Sequence, residues 1–121
     1  MEGRVEKTHM NASKGEPVSG LRFNKGKPPY HLVSPFALEG LAKVLGFGAQ
    51  KYAARNWEKG FSFEETLRSL LSHAYALQRG ERIDPESGLP HIDHLGCNWM
   101  FLSHFMKLEQ YKAHDDLKGP R

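Results

Sequence analysis

The sequence has a single cysteine, Cys97, among 121 residues, and it has no long hydrophobic run. One cysteine excludes an internal disulfide and a cysteine-rich zinc site, which fits a protein of the reducing cytoplasm. No stretch approaches the ~20 apolar residues that cross a bilayer, so no membrane partner is expected. The first 20 residues are polar, with acids and bases mixed, which argues against a secretory signal.

An excess of charge of one sign is also missing. Seventeen Lys and Arg stand against 14 Asp and Glu, a formal net charge of +3. Nucleic-acid binding would favour a Lys/Arg stripe along one helix face, and none of the predicted helices has one. A phosphate-bearing small molecule fits the mild excess equally well. The alternative to an enzyme is a small basic helical protein whose function is to bind nucleic acid or a partner helix.

Period-two alternation and internal repeats are absent, whereas helical periodicity recurs along the chain. The first helix is predicted to begin after Ser34, a good N-cap, and to end near Tyr52. The second helix begins after Ser62, which opens a capping box. It ends either at Gly80 or at Asp84, because the proline that follows allows no further helix.

The third predicted helix begins at Pro90 and has the strongest periodicity in the chain. Its apolar residues recur at helical spacing and are expected to form the core face: Ile92, Leu95, Trp99, Leu102 and Met106. The sequence therefore predicts an all-α fold, a compact bundle of three to four main helices completed by oligomerisation. We expect a flexible N-terminal tail (1–20), one all-α domain (21–112) and a charged C-terminal tail (113–121).

Histidines are concentrated in one apolar-rich third of the chain. Histidine is the side chain best suited to proton transfer, metal ligation or phosphate contact near neutral pH. On the third helix, His94 and Asn98 lie beside the predicted apolar face. His91 lies between these two residues and that face. All three side chains should therefore be partly buried. For His73, His91 or His94 taken alone, the alternative is a buried histidine that is hydrogen-bonded within the core and has no functional role. Their clustering with acids and Asn98 favours a functional site.

Carboxylates accompany these histidines. If the second helix continues to Asp84, then Glu81 and Asp84 lie on one side of it, one turn apart. This arrangement suits Mg²⁺ or Mn²⁺, whose remaining oxygen ligands a bound di- or triphosphate supplies. Glu39 on the first helix is a candidate third carboxylate. The alternative for Glu81 and Asp84 is that they belong to a solvent-exposed helix end. The alternative for Glu39 is an ion pair with Lys43 on the helix surface.

Several short motifs together resemble a known family. They are Lys51-Tyr52, Asn56-Trp57-x-x-Gly60, His73, Gly80-Glu81-x-x-Asp84-x-Glu86-Ser87-Gly88-x-x-His91 and Asn98. Over about residues 21–106 the chain is similar to the phage and bacterial dATP/dGTP diphosphohydrolases. These include the MazZ proteins and are related to the MazG-like all-α nucleotide pyrophosphohydrolases.

The resemblance implies hydrolysis of dGTP and/or dATP to the monophosphate and pyrophosphate with Mg²⁺ or Mn²⁺. It also implies a homodimer or homotetramer, in the host cytoplasm if the chain is phage-encoded. In MazZ members the reaction serves phages that replace adenine with 2-aminoadenine. The catalytic candidates are His73, Glu86 and His91, and the candidate metal ligands are Glu39, Glu81 and Asp84. The candidate substrate-binding residues are Lys25, Lys27, Lys51, Tyr52, Asn56, Trp57, His94 and Asn98.

A histidine–aspartate metal phosphohydrolase is a second enzyme hypothesis. The dipeptide His114-Asp115 supplies its signature residues. It lies in a charged terminal segment with no helix after it, which disfavours this class.

Overall fold

A computed structural model of the chain describes residues 5–7, 19–23 and 26–119. The chain divides into two compact units, Met1–Val33 and Ser34–Arg121. Among the described residues, no helix is both long and apolar enough to span a bilayer.

The first unit contains a two-stranded antiparallel sheet. Strand β1 (Val5–Lys7) pairs with β2 (Leu21–Phe23), and a short 3₁₀ turn follows at Tyr30–Leu32. The sequence does not predict these strands, because three residues are too few to display an alternating pattern. One strand lies within the predicted flexible tail, most of which lies outside the described residues.

The second unit is all-α, which confirms the predicted fold class. Its helices are α1 (Pro35–Lys51), α2 (Phe63–Gln78) and α3 (His91–Lys107). Two 3₁₀ turns, Asn56–Lys59 and Glu109–His114, precede α2 and follow α3. Helix α3 packs against both other helices and is therefore the centre of the unit.

The predicted starts of α1 and α2 are confirmed. The Ser34 hydroxyl accepts a hydrogen bond from the Ala37 backbone nitrogen at 3.1 Å. The Ser62 hydroxyl does the same for the Glu65 nitrogen at 3.2 Å. Each serine thus satisfies a backbone donor that the first turn of a helix leaves without a partner.

The C-terminal segment belongs to the fold as well. Tyr111 is buried, and its hydroxyl donates to the Glu58 carbonyl at 2.8 Å. Asp116 accepts from the Ser62 hydroxyl and from the Glu64 backbone nitrogen. These hydrogen bonds lower the pKa of the Asp116 carboxyl, and the bond from Ser62 has the largest effect. The predicted charged tail is therefore held at the start of α2 through Asp116.

Helix α2 ends at Gln78, two residues before Gly80, so the predicted continuation to Asp84 is wrong. Gly80 has a φ of +92°, and its nitrogen donates to the Leu77 carbonyl at 2.9 Å. The next nitrogen, of Glu81, donates to the Ala76 carbonyl at 2.9 Å. This pair of bonds satisfies the last carbonyls of a helix and stops it. Glu81 and Asp84 consequently do not lie one turn apart on a helix.

Gly80→Ala is expected to destabilise the chain by about 1 kcal/mol. The cost is backbone strain at positive φ, since a Cβ at Gly80 would meet no atom within 4 Å. Gly46→Ala is the matched control. Gly46 lies inside α1 with open space around it, and alanine there should stabilise by about 0.5–1 kcal/mol. Urea unfolding measures both, and two shifts of the same sign would contradict this account.

The core of the second unit is aromatic. Its buried members are Phe63, Leu102, Phe105 and Tyr111. Phe105 is 1% exposed. The centroid of its ring lies 4.7 Å from the Tyr111 ring centroid and 6.0 Å from the Phe63 ring centroid. Ring contacts at these separations bury large apolar areas.

The predicted core face of α3 is wrong in part. Leu102 is buried, but Ile92, Trp99 and Met106 are 54%, 60% and 55% exposed. The helix turns a different face inward, one that includes polar side chains. The residues buried on that face are His91, Cys97, Leu102 and Phe105.

Candidate active site

A cleft of about 680 Å³ lies among the C-terminal half of α1, the segment that follows it, α2 and α3. Its volume is within the range of roughly 300–1,000 Å³ that is usual for small-molecule sites. The lining is of two kinds. The aromatic part consists of Phe47, Tyr52, Trp57, Phe61 and Phe101, and the polar part includes Lys51, His73, Asp84, Glu86, His94 and Asn98.

The core holds the aromatic wall in place. The Trp57 ring stacks on Phe101, with centroids 5.3 Å apart and planes at 27°. Phe61 meets Phe101 edge-on at 5.5 Å. Both Trp57 and Phe101 also contact the buried Phe105 ring. The wall is therefore continuous with the core and preorganised for a flat ligand.

The loop between α2 and α3 brings Asp84 into the cleft. The Asp84 nitrogen donates to the Leu89 carbonyl at 2.9 Å, and the Asp84 carbonyl accepts from Gly88 at 2.8 Å. Gly88 has a φ of +73°, which a glycine adopts without strain. Asp84 Oδ2 accepts from the Ser87 nitrogen at 3.0 Å. These bonds fix the carboxylate at the base of a tight turn.

Three histidines meet at the polar side of the cleft, where His73 and His94 belong to the lining and His91 lies behind His73. His73 Nδ1 lies 2.8 Å from His91 Nδ1, a hydrogen-bond distance. The His73 ring also stacks on His94, with centroids 4.7 Å apart and planes at 9°. His73 comes from α2 and the other two from α3, so the α2–α3 packing assembles the cluster.

The two α3 histidines of this cluster, His91 and His94, each have a carboxylate beside them. Glu81 Oε1 lies 3.3 Å from His91 Nε2, and Asp84 Oδ2 lies 3.5 Å from His94 Nε2. The first contact is within ion-pair distance but poorly aligned for a hydrogen bond, so buried His91 Nε2 has no hydrogen-bond partner among the described residues. His94 Nε2 is also 2.6 Å from the Ser87 hydroxyl. Glu81 and Asp84 therefore serve different histidines.

The pKa values of this cluster depart from their ordinary values. Burial lowers the pKa of His73, and repulsion from His94 and His91 lowers it further. Burial likewise lowers the pKa of His94, against an opposing effect of Asp84. For Asp84, burial works to raise the pKa, but hydrogen bonds from Ser87 outweigh it and the net pKa is lowered. At neutral pH His73 and His94 are thus neutral imidazoles beside the ionised carboxylate of Asp84.

The free energy of unfolding should fall between about pH 7.5 and about pH 5.5. The pKa values of His73 and His94 are lowered from 6.5 in the folded chain, so the unfolded chain binds more protons as the pH falls through that value. Urea unfolding at the two pH values measures the loss. His73→Gln should make the dependence shallower, whereas a free energy independent of pH would contradict the assigned shifts.

An exposed ion pair lies at the edge of the cleft. Lys51 Nζ donates to Glu86 Oε1 at 2.6 Å, and both residues line the cleft. This hydrogen bond, together with the charge of Glu86, raises the pKa of Lys51. The lysine is therefore available as a cation for an anionic ligand.

Most of the predicted site residues line the cleft. Glu81 and His91 do not line it, but they connect to it through His73. Glu39 is 68% exposed on α1 and pairs with Lys43 at 3.3 Å. Lys27 is exposed in the first unit, and Lys25 lies outside the described residues. The predicted residues that line the cleft are Lys51, Tyr52, Asn56, Trp57, His73, Asp84, Glu86, His94 and Asn98.

Sequence reasoning missed several residues of the site. Ser69 lines the cleft and accepts from Asn98 Nδ2 at 3.1 Å. It lies one helical turn before His73, and that spacing could have revealed it. Ser87 contacts both Asp84 and His94, and it lies within the motif that includes Glu86.

A ready-made metal centre is not apparent among the described residues. No three of their His, Cys, Asp or Glu side chains form a group that could hold a metal ion by themselves. Cys97 lines the cleft, and burial raises the pKa of its thiol to about 12. A thiol with so high a pKa is a poor ligand and a poor nucleophile.

Comparison with known proteins agrees with the motifs. The model of the family "dATP/dGTP diphosphohydrolase, N-terminal" matches residues 17–116. A dATP/dGTP diphosphohydrolase of Salmonella phage PMBT28 is 34% identical over 99 residues, 82% of this chain and 33% of that relative. The chain thus spans about a third of the length of this curated relative. No solved structure matches the chain. As its motifs predict, the chain belongs to the dATP/dGTP diphosphohydrolase family.

Proposed function

We propose that the cleft hydrolyses dGTP and/or dATP to the monophosphate and pyrophosphate. The observation that carries this proposal is one cleft with a stacked aromatic wall and, on its polar side, carboxylates, histidines and a lysine. A purine base is flat and apolar on its faces, whereas a triphosphate is strongly anionic. The name of the phage relative gives the same two substrates.

The base would lie against the aromatic wall. Tyr52 and Trp57 are the proposed stacking residues, and Trp57 is already packed on Phe101. Stacking on an aromatic side chain is worth about 1–3 kcal/mol per base in nucleic-acid complexes. Asn56 and Asn98 line the same cleft and are the proposed contacts to the polar edge of the base.

Asp84 and Glu86 are the proposed ligands of Mg²⁺ or Mn²⁺. Mg²⁺ is commonly held by one or two carboxylates together with substrate phosphates, so a preformed set of three ligands is not needed. Asp84 fits because its pKa is lowered and Oδ1 accepts no hydrogen bond from the described residues. When bound, such an ion neutralises phosphate charge and activates water. Glu39 pairs with Lys43 and does not line the cleft, so its role as a third metal ligand remains a prediction from the sequence.

His73 is the proposed base toward the attacking water. In the hydrogen bond between His73 Nδ1 and His91 Nδ1, one nitrogen donates and the other accepts. The carboxylate of Glu81 beside His91 Nε2 favours the proton there. His91 Nδ1 then accepts from His73 Nδ1. His73 Nε2 keeps its lone pair, and Glu81 and His91 act as positioning residues.

Lys51 is the proposed counter-ion of the leaving pyrophosphate. It lines the cleft and now pairs with Glu86, and a triphosphate would compete for the ammonium group. The roles of Lys25 and Lys27 in phosphate binding remain predictions from the sequence.

We also propose that the chain self-associates and acts in the cytoplasm, the host cytoplasm if it is phage-encoded. Helix α3 exposes Ile92, Trp99 and Met106 at seven-residue intervals, an apolar stripe on one side of the helix. Light scattering tests the expected homodimer or homotetramer. A role in supplying dGMP for 2-aminoadenine DNA follows from the family resemblance alone.

A pyrophosphate-release assay on dGTP and dATP, with Mg²⁺ or Mn²⁺, tests the activity. Hydrolysis in ¹⁸O-labelled water identifies the bond that is broken, because attack on the α-phosphorus places the label in the monophosphate. Label in inorganic phosphate would instead indicate a diphosphate product. No turnover by a folded chain, together with salt-sensitive DNA binding, would favour the nucleic-acid-binding alternative.

A further inference from the structure

The side-chain amide of Asn98 is held in one orientation. Its Nδ2 donates to the Ser69 hydroxyl and to the His94 carbonyl, each at 3.1 Å. A carbonyl oxygen only accepts, so the amide nitrogen and not the amide oxygen must face His94. Both hydrogens of Nδ2 are then used. Oδ1 is the atom of Asn98 that is left for a ligand.

Asn98 Oδ1 is accessible and has no partner among the described residues. None of their hydrogen bonds uses this oxygen, and the oxygen is not fully buried. Asn98 itself lines the cleft. The cleft thus presents a fixed acceptor whose own donors are already satisfied.

This acceptor lies close along α3 to the aromatic wall. Phe101 follows Asn98 by one helical turn, and both residues line the cleft. Residues three apart on a helix share a face. A base stacked on the wall formed by Phe101 and Trp57 therefore has Asn98 Oδ1 within reach of its polar edge.

We propose that Asn98 is the specificity-determining residue for the base and that Ser69 is the positioning residue that holds it, an inference that rests on the proposed function. Guanine carries N1–H and a 2-amino group side by side, two donors that suit one acceptor. Adenine presents the lone pair of N1 at the same place, opposite an oxygen that has no hydrogen to give. The arrangement selects dGTP over dATP.

Calorimetry with the α,β-methylene analogues of dGTP, dITP and dATP measures binding apart from hydrolysis. Deoxyinosine differs from deoxyguanosine only in lacking the 2-amino group. The wild-type chain should bind the dGTP analogue about ten- to one-hundred-fold more tightly than the dATP analogue, with dITP between them. Asn98→Ala should remove most of this preference by weakening the dGTP analogue.

Ser69→Ala tests the positioning role. It should reduce the ratio of dGTP to dATP affinity severalfold in the wild-type background and leave it unchanged in the Asn98→Ala background, because the two residues act as one unit. A merely structural role would weaken all three analogues equally. Ser103→Ala is the matched control, since Ser103 lies on α3, accepts from Lys107 and does not line the cleft.

The outcomes separate this inference from the proposed function. A wild-type preference for the dATP analogue, or an unchanged ratio in a folded Asn98→Ala variant, would overturn the assignment. Hydrolysis without base preference would overturn it while leaving the proposed function intact. Binding of dGTP that depends on Asn98, without any hydrolysis, would support the assignment and defeat the proposed function. If Asn98→Ala does not fold, the wild-type comparison of dGTP with dITP decides.

Discussion

Asp84→Asn is expected to lower kcat/KM for dGTP on the order of 100- to 1,000-fold and to leave the helical circular dichroism signal intact. Asparagine keeps an oxygen that can accept from the Ser87 nitrogen, so the turn survives. What is lost is the negative charge beside His94 and the proposed metal ligand. Steady-state pyrophosphate release with Mg²⁺ or Mn²⁺ measures the effect.

Glu109→Gln is the control for this loss of charge. Glu109 is 88% exposed in its side chain, pairs with Lys112 and does not line the cleft. Its replacement should leave kcat/KM within about twofold of the wild type, since exposed pairs contribute little. A wild-type rate for Asp84→Asn would remove Asp84 from the site, and a large loss for Glu109→Gln would point to charge effects outside the cleft.

Phe105→Ala is expected to cost about 3–5 kcal/mol of the free energy of unfolding. Phe105 is 1% exposed and contacts the rings of Phe63, Tyr111 and Phe101, so its removal leaves a cavity that neighbouring rings cannot fill. For a chain of this size the loss corresponds to a fall in Tm of roughly 10–20 °C. Thermal and urea unfolding both measure it.

The same substitution at Phe36 provides the comparison. Phe36 is 85% exposed near the start of α1. Phe36→Ala should change the free energy of unfolding by about 0.5 kcal/mol or less. If it costs as much as Phe105→Ala, burial within one chain does not explain stability, and contacts between subunits must be included.

The sequence was sufficient to predict where the three helices begin. Ser34 and Ser62 have side chains that cap a helix locally, so each start depends on a few neighbouring residues. Pro90 likewise marks the residue before α3. The C-terminal turn was not predicted, because Asp116 reaches the start of α2 across more than 50 residues of chain.

The orientation of α3 could not be predicted from apolar periodicity. The stripe of Ile92, Trp99 and Met106 has the regular spacing of a core face, yet it is exposed. The inward face instead includes His91 and Asn98, whose polar groups find partners on α2. A pattern based on hydrophobicity gives no weight to side chains that are buried because they are hydrogen-bonded.

The candidate site was predicted in composition but not in arrangement. Most of the predicted residues line one cleft, whereas Glu81 and Asp84 were assigned a shared helical side that does not exist. The ambiguity lay at Gly80, since a single glycine is compatible with continuing or ending a helix. Bonds from Gly80 and Glu81 back to α2 end it. The two acids are then free to contact separate histidines.

The contacts of Tyr111 and Asp116 have a consequence for how the chain is made. Tyr111 supplies a ring of the core, and Asp116 completes the start of α2, whose own residues are synthesised some 50 positions earlier. On the ribosome, α1 and α2 therefore emerge before the residues that close their core. The core and the capped start of α2 are therefore complete only after the segment through Asp116 has left the ribosome.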